Sequence, residues 1–191
     1  LYTNKFLLKL NDTWQQLVDA ADKWGAPGIS RQKDFFKKAV LPFLEQNKKV
    51  FVIISDALRY EIGDDFLSMI RREDRYDARL EPYLSMLPSY TQLGMAALLP
   101  NKTLQIMDNT SASVDVNGES SQGIKNRIKI LNAGDKWNAN AVTADHFMAM
   151  PKEGDSGYRA LFRDHDVVYI YHNRIDATGD KRESEERTFD A

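Results

Sequence analysis

Carboxylate side chains follow two apolar segments of this 191-residue chain. Asp56 comes almost directly after residues 50–54, and Asp176 comes shortly after residues 167–171. Uninterrupted apolar runs of this length are typical of strands buried on both faces of a parallel sheet, and ligand sites lie at the carboxyl ends of such strands. Two carboxylates that meet there repel each other unless a cation lies between them, so the pair indicates a metal site. The alternative for Asp56 is a cap on a helix predicted over 57–69.

Asp180 and Thr91 are the other candidates for this site. Asp180 follows Asp176 by four residues across a glycine, so one turn there would aim both carboxylates at one ion. Thr91 follows Pro88-Ser89-Tyr90 and opens a predicted helix, where backbone N–H groups favour negative charge. A hydroxyl that touches a metal there ionises more readily and can attack phosphorus. The alternatives are that Asp180 caps a helix beginning at Lys181 and that Thr91 is an ordinary N-cap.

Strands separated by helical patterns must position these residues, which predicts an α/β fold with a mostly parallel central sheet flanked by helices. Ahead of it, apolar spacing predicts a helix over 3–24, a break at 25–28 and a second helix capped by Ser30 and kinked by Pro42. We therefore expect an N-terminal helical segment over 1–47 and an α/β domain over 48–191. The remaining patterns predict short strands near 76–86, 113–116 and 137–147, helices over 91–99 and 124–131, and loops over most of 101–123.

Composition narrows the class of protein further. The net charge of −2 predicts no bulk attraction to nucleic acid or membranes, and the absence of cysteine excludes disulfides, thiolate metal sites and a cysteine nucleophile. No apolar stretch approaches the ~18–20 residues that span a bilayer, and the first residues do not form a signal peptide. We expect a cytoplasmic protein, and because both ends read as cut we expect an excised domain.

Three blocks of this sequence, taken together, resemble the PglZ domain family, a branch of the alkaline phosphatase superfamily. The blocks cover residues 51–61, which include Asp56, residues 87–100, which include Thr91, and residues 168–180, which end in Asp176-Ala177-Thr178-Gly179-Asp180. The resemblance implies an alkaline-phosphatase-like fold with two divalent metal ions (Zn, Mn or Mg). It also implies that Thr91 is the nucleophile, that Asp56 and Thr91 serve one metal, and that Asp176 and Asp180 serve the other.

Two departures from the superfamily pattern affect the metals. Asp180 stands where the superfamily has His, which favours a harder, oxygen-rich site over zinc. The superfamily also completes both sites with an Asp-His-Gly block on a later strand, which we expect beyond residue 191. Residues 143–147 look like that block, but they lack the Gly and precede Asp176, so we interpret them as a chance match. With incomplete metal shells, this chain alone is expected to be inactive.

The resemblance implies a metal-dependent phosphohydrolase, either a phosphodiesterase or a phosphatase, of the Pgl and BREX systems of bacterial defence against phage. A nucleic-acid or nucleotide phosphodiester is a reasonable substrate there, with other proteins of the defence system as partners and no membrane partner. The alternative is a degenerate module that keeps the fold and binds those partner proteins. A third possibility, a nucleotide-binding domain with Asp56 on a ribose, lacks the Gly-rich turn it needs. His172, Arg59 and Arg174 are weaker candidates for contacts to phosphate.

Overall fold

The computed structural model describes residues 2–134, 136–154 and 157–180, with the side chain of Asp180 left aside. In chain order, the elements are a π-helical turn (Thr3–Leu7), α1 (Leu8–Asp19), β1 (Ser30–Arg31), a 3₁₀ turn (Gln32–Asp34), a second π-helical turn (Phe36–Val40), α2 (Leu41–Leu44), β2 (Val50–Ser55), α3 (Tyr60–Ile70), β3 (Tyr83–Leu84), α4 (Thr91–Ala97), β4 (Leu104–Ile106), β5 (Val114–Val116), β6 (Glu119–Ser120), α5 (Gly123–Leu131), β7 (Ala139–Thr143), α6 (Ala144–Ala149), α7 (Tyr158–Asp164), β8 (Val167–His172) and α8 (Arg174–Asp180).

The main sheet has three parallel strands in the order β2-β8-β7, which confirms the predicted α/β class. Ser55 pairs with His172, so β2 and β8 end together at one edge of the sheet. Thr143, the last residue of β7, pairs with Tyr171 and therefore ends beside them. Parallel strands in this register bring the segments that follow them to the same edge, as ligand sites in such sheets require.

Alternate residues of β8 pack into two separate hydrophobic clusters, one on each face of the sheet. Val167, Tyr169 and Tyr171 join the larger cluster, to which α4, α5 and β5 contribute. Val168 and Ile170 join the smaller cluster, which includes residues of α6 and α7. Helices thus cover β8 on both faces, which explains why its sequence is apolar without alternation.

The prediction that residues 50–54 are buried on both faces is wrong. Val52 is buried, but the side chains of Phe51 and Ile53 are 43% and 68% exposed. β2 is an edge strand within the described residues, whereas β8 has a neighbour on each side. An apolar run alone cannot distinguish these positions, because both strands read as continuously hydrophobic.

The predicted first helix is confirmed over Thr3–Leu7 and α1, although it ends at Asp19. The predicted helix cap at Ser30 is wrong, because Ser30 lies in β1 and pairs with Tyr83 of β3. Pro42 lies in the first turn of α2, just after the second π-helical turn, where its missing N–H is tolerated. Phe36 and Val40 pack in the same cluster as β2, while the predicted domain boundary at residue 48 stays a prediction.

Elsewhere the predicted helices at 91–99 and 124–131 correspond to α4 and α5. Most of 101–123 is loop as predicted, and the strand predicted at 113–116 is β5, which pairs with the short unpredicted strands β4 and β6 in an antiparallel sheet. Pro82 precedes the two-residue strand β3, which is all that remains of the strand predicted near 76–86. None of the helices in the described part of the chain has the length and apolar character that crossing a membrane requires.

Candidate functional site

Asp56 lies immediately after the last residue of β2, and the backbone fixes its position. Its N–H donates to the carbonyl of His172 at 2.9 Å, which continues the β2–β8 pairing by one step. Its Oδ1 accepts from the N–H of Ala57 at 3.1 Å, and Ala57 has a positive φ of 60°. The capping alternative is wrong, because α3 begins at Tyr60 with Arg59 at the N-cap position. The Asp56 carboxylate therefore remains available to a ligand at the sheet edge.

Thr91 is the first residue of α4 and is exposed. Tyr90 occupies the N-cap position without a side-chain cap hydrogen bond, so the interpretation of Thr91 as an N-cap is wrong. The Tyr90 hydroxyl donates to the carbonyl of Ala112 at 2.9 Å, and Leu93 is buried in the main cluster. These contacts anchor the start of α4. α4 has only seven residues, so its dipole contributes little at Thr91.

Asp56 and Thr91 line the same two cavities, although they are 35 positions apart in the sequence. The larger cavity, about 440 Å³, extends towards Gln32 and Ser89. The smaller cavity, about 260 Å³, extends towards the end of β8, where His172 and Asn173 line it. A ligand in this region can therefore contact a carboxylate and a hydroxyl together.

The charge of Asp176 acts on Asp56. Burial raises the pKa of the Asp56 carboxyl, the negative charge of Asp176 raises it further, and the hydrogen bond from Ala57 partly offsets both. Asp176 lies in the first turn of α8, directly after β8. The role of Asp176 as a metal ligand beside Asp56 stays a prediction. Asp180 ends α8, and the prediction for its side chain lies outside what the structure describes, as does the helix predicted from Lys181.

Ser55 and His172 form a pair at the ends of the adjacent strands. Ser55 Oγ lies 2.9 Å from His172 Nδ1, and both side chains are partly buried. When Nδ1 accepts from the hydroxyl, Nε2 carries the ring proton. His172 also lines the smaller cavity with Asp56 and Thr91, so its ring is held beside them.

The side-chain oxygen atoms at this edge could provide some of the ligands of a hard-cation site. Two carboxylates and one hydroxyl supply oxygen ligands of the kind that Mg²⁺ and Mn²⁺ prefer. Burial and the negative charge of Asp176 raise the pKa of Asp56, so a cation bound at this edge would offset an unfavourable charge. The described residues contain no group of three or more His, Cys, Asp or Glu that could hold a metal. The residues present therefore fit a cation, but they do not complete its shell.

The segment 143–147 is placed elsewhere along the edge. Thr143 Oγ1 caps α6 by accepting from the N–H of His146 at 3.2 Å. Asp145 lines a third cavity, of about 320 Å³, whose lining includes neither Asp56 nor Thr91. Arg174 lines that third cavity too, and Arg59 lies at the N-cap position of α3.

The sequence interpretation missed Arg127 and Tyr171. The Arg127 guanidinium lies over the Tyr171 ring, 4.2 Å from its centroid, and both residues line the smaller and third cavities. Arg127 lies among other basic residues on a helix, where a solvated cation is the ordinary interpretation. Tyr171 reads as a core residue. No sequence signal that we used distinguishes them.

A parallel sheet flanked by helices, with polar side chains at its carboxyl edge, defines an α/β protein of the kind that binds ligands at that edge. The chain belongs to the family described as the BREX system PglZ alkaline phosphatase-like domain, whose model matches residues 35–191. This confirms the resemblance that the three sequence blocks indicated.

Two relatives match over the whole chain. It is 42% identical over 196 residues to the alkaline phosphatase-like protein BrxZ of Escherichia coli. It is 35% identical over 193 residues to the alkaline phosphatase-like protein PglZ of Bacillus cereus. In both cases the alignment covers 100% of this chain and 22% of the relative, so the chain spans about a fifth of their length.

Proposed function

We propose that this chain forms part of the catalytic domain of a metal-dependent phosphohydrolase, with Thr91 as the nucleophile. The observation that carries the proposal is that Thr91 and Asp56 line the same two cavities at one edge of the sheet. Burial and the negative charge of Asp176 raise the pKa of Asp56, which supports a place for Asp176 in the same site. Membership of an alkaline-phosphatase-like family supports the same class of chemistry.

In the proposed reaction, the Thr91 oxygen attacks the phosphorus of a phosphoester and loses its proton, and the bond to the leaving oxygen breaks. Water then attacks the phosphothreonine, which releases phosphate or a phosphomonoester and restores the Thr91 hydroxyl. Asp56, Asp176 and Asp180 would hold two divalent ions together with ligands from the rest of the protein. Such ions stabilise negative charge on the attacking and leaving oxygens.

The setting we propose is cytoplasmic defence against phage, since the matching family is a BREX system domain. The proposed substrate is a nucleic-acid or nucleotide phosphodiester, and the proposed partners are other proteins of that system. The exposed Phe51 and Ile53 on β2 offer an apolar surface for the remainder of the protein or for a partner.

One observation favours the second candidate, a non-catalytic interaction module. The described residues provide no group of three acidic or His side chains for a metal. In a module of that kind, Thr91 would be an ordinary exposed residue, and its replacement would leave partner binding unchanged.

The test is turnover of a chromogenic phosphodiester and a chromogenic phosphomonoester by the full-length protein with Mn²⁺, Mg²⁺ or Zn²⁺. We expect turnover that depends on the metal, falls by at least about a hundredfold in Thr91→Ala and Asp56→Ala, and survives in part in Thr91→Ser. Thr110→Ala is the matched control, since Thr110 lines none of the three cavities described above.

Two further outcomes would decide against parts of the proposal. Turnover that Thr91→Ala leaves intact would exclude Thr91 as the nucleophile even if the protein is an enzyme. Absence of turnover with every metal, combined with retained partner binding, would favour the interaction module. Trapping phosphothreonine at residue 91 by acid quench and mass spectrometry would identify the nucleophile directly.

A further inference from the structure

We propose that the third cavity is a second oxyanion subsite, which binds a phosphate next to the one that reacts. It has a volume of about 320 Å³ and is lined by the first turn of α5, the end of β8 and the start of α6. Arg127, Tyr171 and Asn173 line both this cavity and the smaller cavity that contains Asp56 and Thr91. The two spaces therefore share a wall, and one ligand can reach both.

The hydroxyl of Tyr171 is the observation that points to a ligand. Tyr171 is only 7% exposed, and its buried hydroxyl finds no acceptor for its proton among the described residues. Its neighbour Tyr169 on the same face of β8 is fully buried too, but the Tyr169 hydroxyl donates to the carbonyl of Leu98 at 2.8 Å. A buried hydroxyl proton without an acceptor costs free energy, so a ligand that accepts a hydrogen bond from Tyr171 would be stabilised here.

Because the Tyr171 hydroxyl keeps its proton, a ligand that bonds to it must be a hydrogen-bond acceptor. Burial raises the pKa of Tyr171 to about 12, although the charge of the Arg127 guanidinium and a hydrogen bond from it to the phenol oxygen lower it in part. The hydroxyl therefore keeps its proton at neutral pH and can donate it. An oxygen acceptor with negative charge fits best, because Arg127 lies against the same ring.

The N-terminus of α5 adds donors to this cavity. Gly123 and Ile124 line it, and no side chain caps the nine-residue helix at its N-cap, Gln122. The first turn of α5 contains no acidic residue. Backbone N–H groups at a helix N-terminus, with a guanidinium one turn later, form an arrangement that binds phosphate.

The charges around the cavity agree with this assignment. Its lining contains the guanidinium groups of Arg127 and Arg174 and one carboxylate, Asp145. Asp145 and Arg174 are exposed, whereas Arg127 is partly buried, so Arg127 contributes the less screened charge. Arg127 Nε donates to the carbonyl of Ser121 at 3.0 Å, which holds the guanidinium against the Tyr171 ring at the wall of the cavity.

The inference defines a substrate class, and in this respect it rests on the proposed function. A substrate that fills both cavities has a second phosphate close to the scissile one, as an oligonucleotide or a nucleotide with two phosphates does. A simple phosphomonoester would fill only the space beside Thr91.

The experiment compares binding of thymidine 5′-monophosphate and thymidine 3′,5′-bisphosphate to the full-length protein by isothermal titration calorimetry. We expect the bisphosphate to bind at least about tenfold more tightly, and we expect Arg127→Gln to remove that preference. The dinucleotide pdTpdT is a third probe. Tighter binding of pdTpdT than of the bisphosphate would identify nucleic acid as the source of the second phosphate, and the reverse order would identify a small nucleotide.

Tyr171→Phe and Tyr169→Phe form a matched pair that separates binding from folding. Tyr171→Phe should keep or raise the melting temperature and weaken bisphosphate binding about tenfold. Tyr169→Phe should lower the melting temperature and leave the preference for the bisphosphate intact, because it removes the bond to Leu98. A Tyr171→Phe variant that melts lower and keeps the preference would overturn the assignment.

The same titrations distinguish this inference from the proposed function. Equal affinity for the two nucleotides in a protein that is active would refute the second subsite alone. A bisphosphate preference in a protein without turnover would refute the proposed catalysis and keep the oxyanion site. Thr91→Ala should retain the preference in either case, since Thr91 does not line the third cavity.

Discussion

Replacement of Asp56 by Asn should stabilise the chain without divalent cations and should remove its response to them. Ionised Asp56 is disfavoured in the folded state, because burial and the charge of Asp176 raise its pKa. Both carboxylates are partly exposed, so solvent screens their repulsion and the gain should not exceed about 1 kcal/mol. For a chain of this size, that corresponds to a rise in Tm of up to about 4 °C.

The gain in stability from Asp56→Asn should increase as the pH rises. A carboxyl whose folded pKa lies above its ordinary value of 3.8 lowers stability as pH rises through that window. Wild type and Asp56→Asn should therefore differ most at neutral pH, and their difference should decline as pH falls towards 3.8. Differential scanning calorimetry between pH 4 and 7 measures this directly.

Without divalent cations, Asp56→Asn should have the higher Tm. Addition of Mn²⁺ or Mg²⁺ should give wild type the higher Tm. At a free cation concentration of one hundred times Kd, binding adds about 2.7 kcal/mol to wild type, or roughly 5–10 °C in Tm. Asp56→Asn should respond little, whereas the control Asp145→Asn should respond like wild type. An equal cation response in wild type and Asp56→Asn would refute the assignment of Asp56 as a ligand.

Two further predictions concern the strands that position the site. Ile53 and Ile170 are paired across β2 and β8 but are 68% and 6% exposed, so Ile170→Ala should cost about 2–5 kcal/mol of unfolding free energy and Ile53→Ala less than about 1. Urea denaturation measures both, and equal costs would contradict the edge position of β2. Ser55→Ala should cost about 0.5–1.5 kcal/mol, because it removes the 2.9 Å hydrogen bond to His172, and an unchanged urea midpoint would contradict that bond.

The apolar runs and their terminal carboxylates predicted the sheet edge well, because parallel pairing brings the ends of β2 and β8 together. The position of each strand in the sheet could not be predicted in the same way. Residues 50–54 and 167–171 have similar compositions, but the first run forms an edge strand and the second a central one. That difference depends on which elements pack beside each strand, and this information is not local to either run.

The two tyrosines of β8 show that single-residue contacts cannot be predicted from the sequence either. A buried tyrosine in a strand is ordinary, and only coordinates show that the Tyr169 hydroxyl has an acceptor for its proton while that of Tyr171 has none among the described residues. Ser30 is a comparable case. Its side chain suits a helix cap, but a tertiary pairing with Tyr83 places it in a strand instead.

The most direct test of the central claim is anomalous diffraction from crystals of the full-length protein soaked in Mn²⁺. We predict two manganese peaks at this edge, one in contact with the Asp56 carboxylate and beside the Thr91 hydroxyl, and the other in contact with the Asp176 carboxylate. Manganese bound instead at Asp145 and His146, with none at Asp56, would contradict the claim.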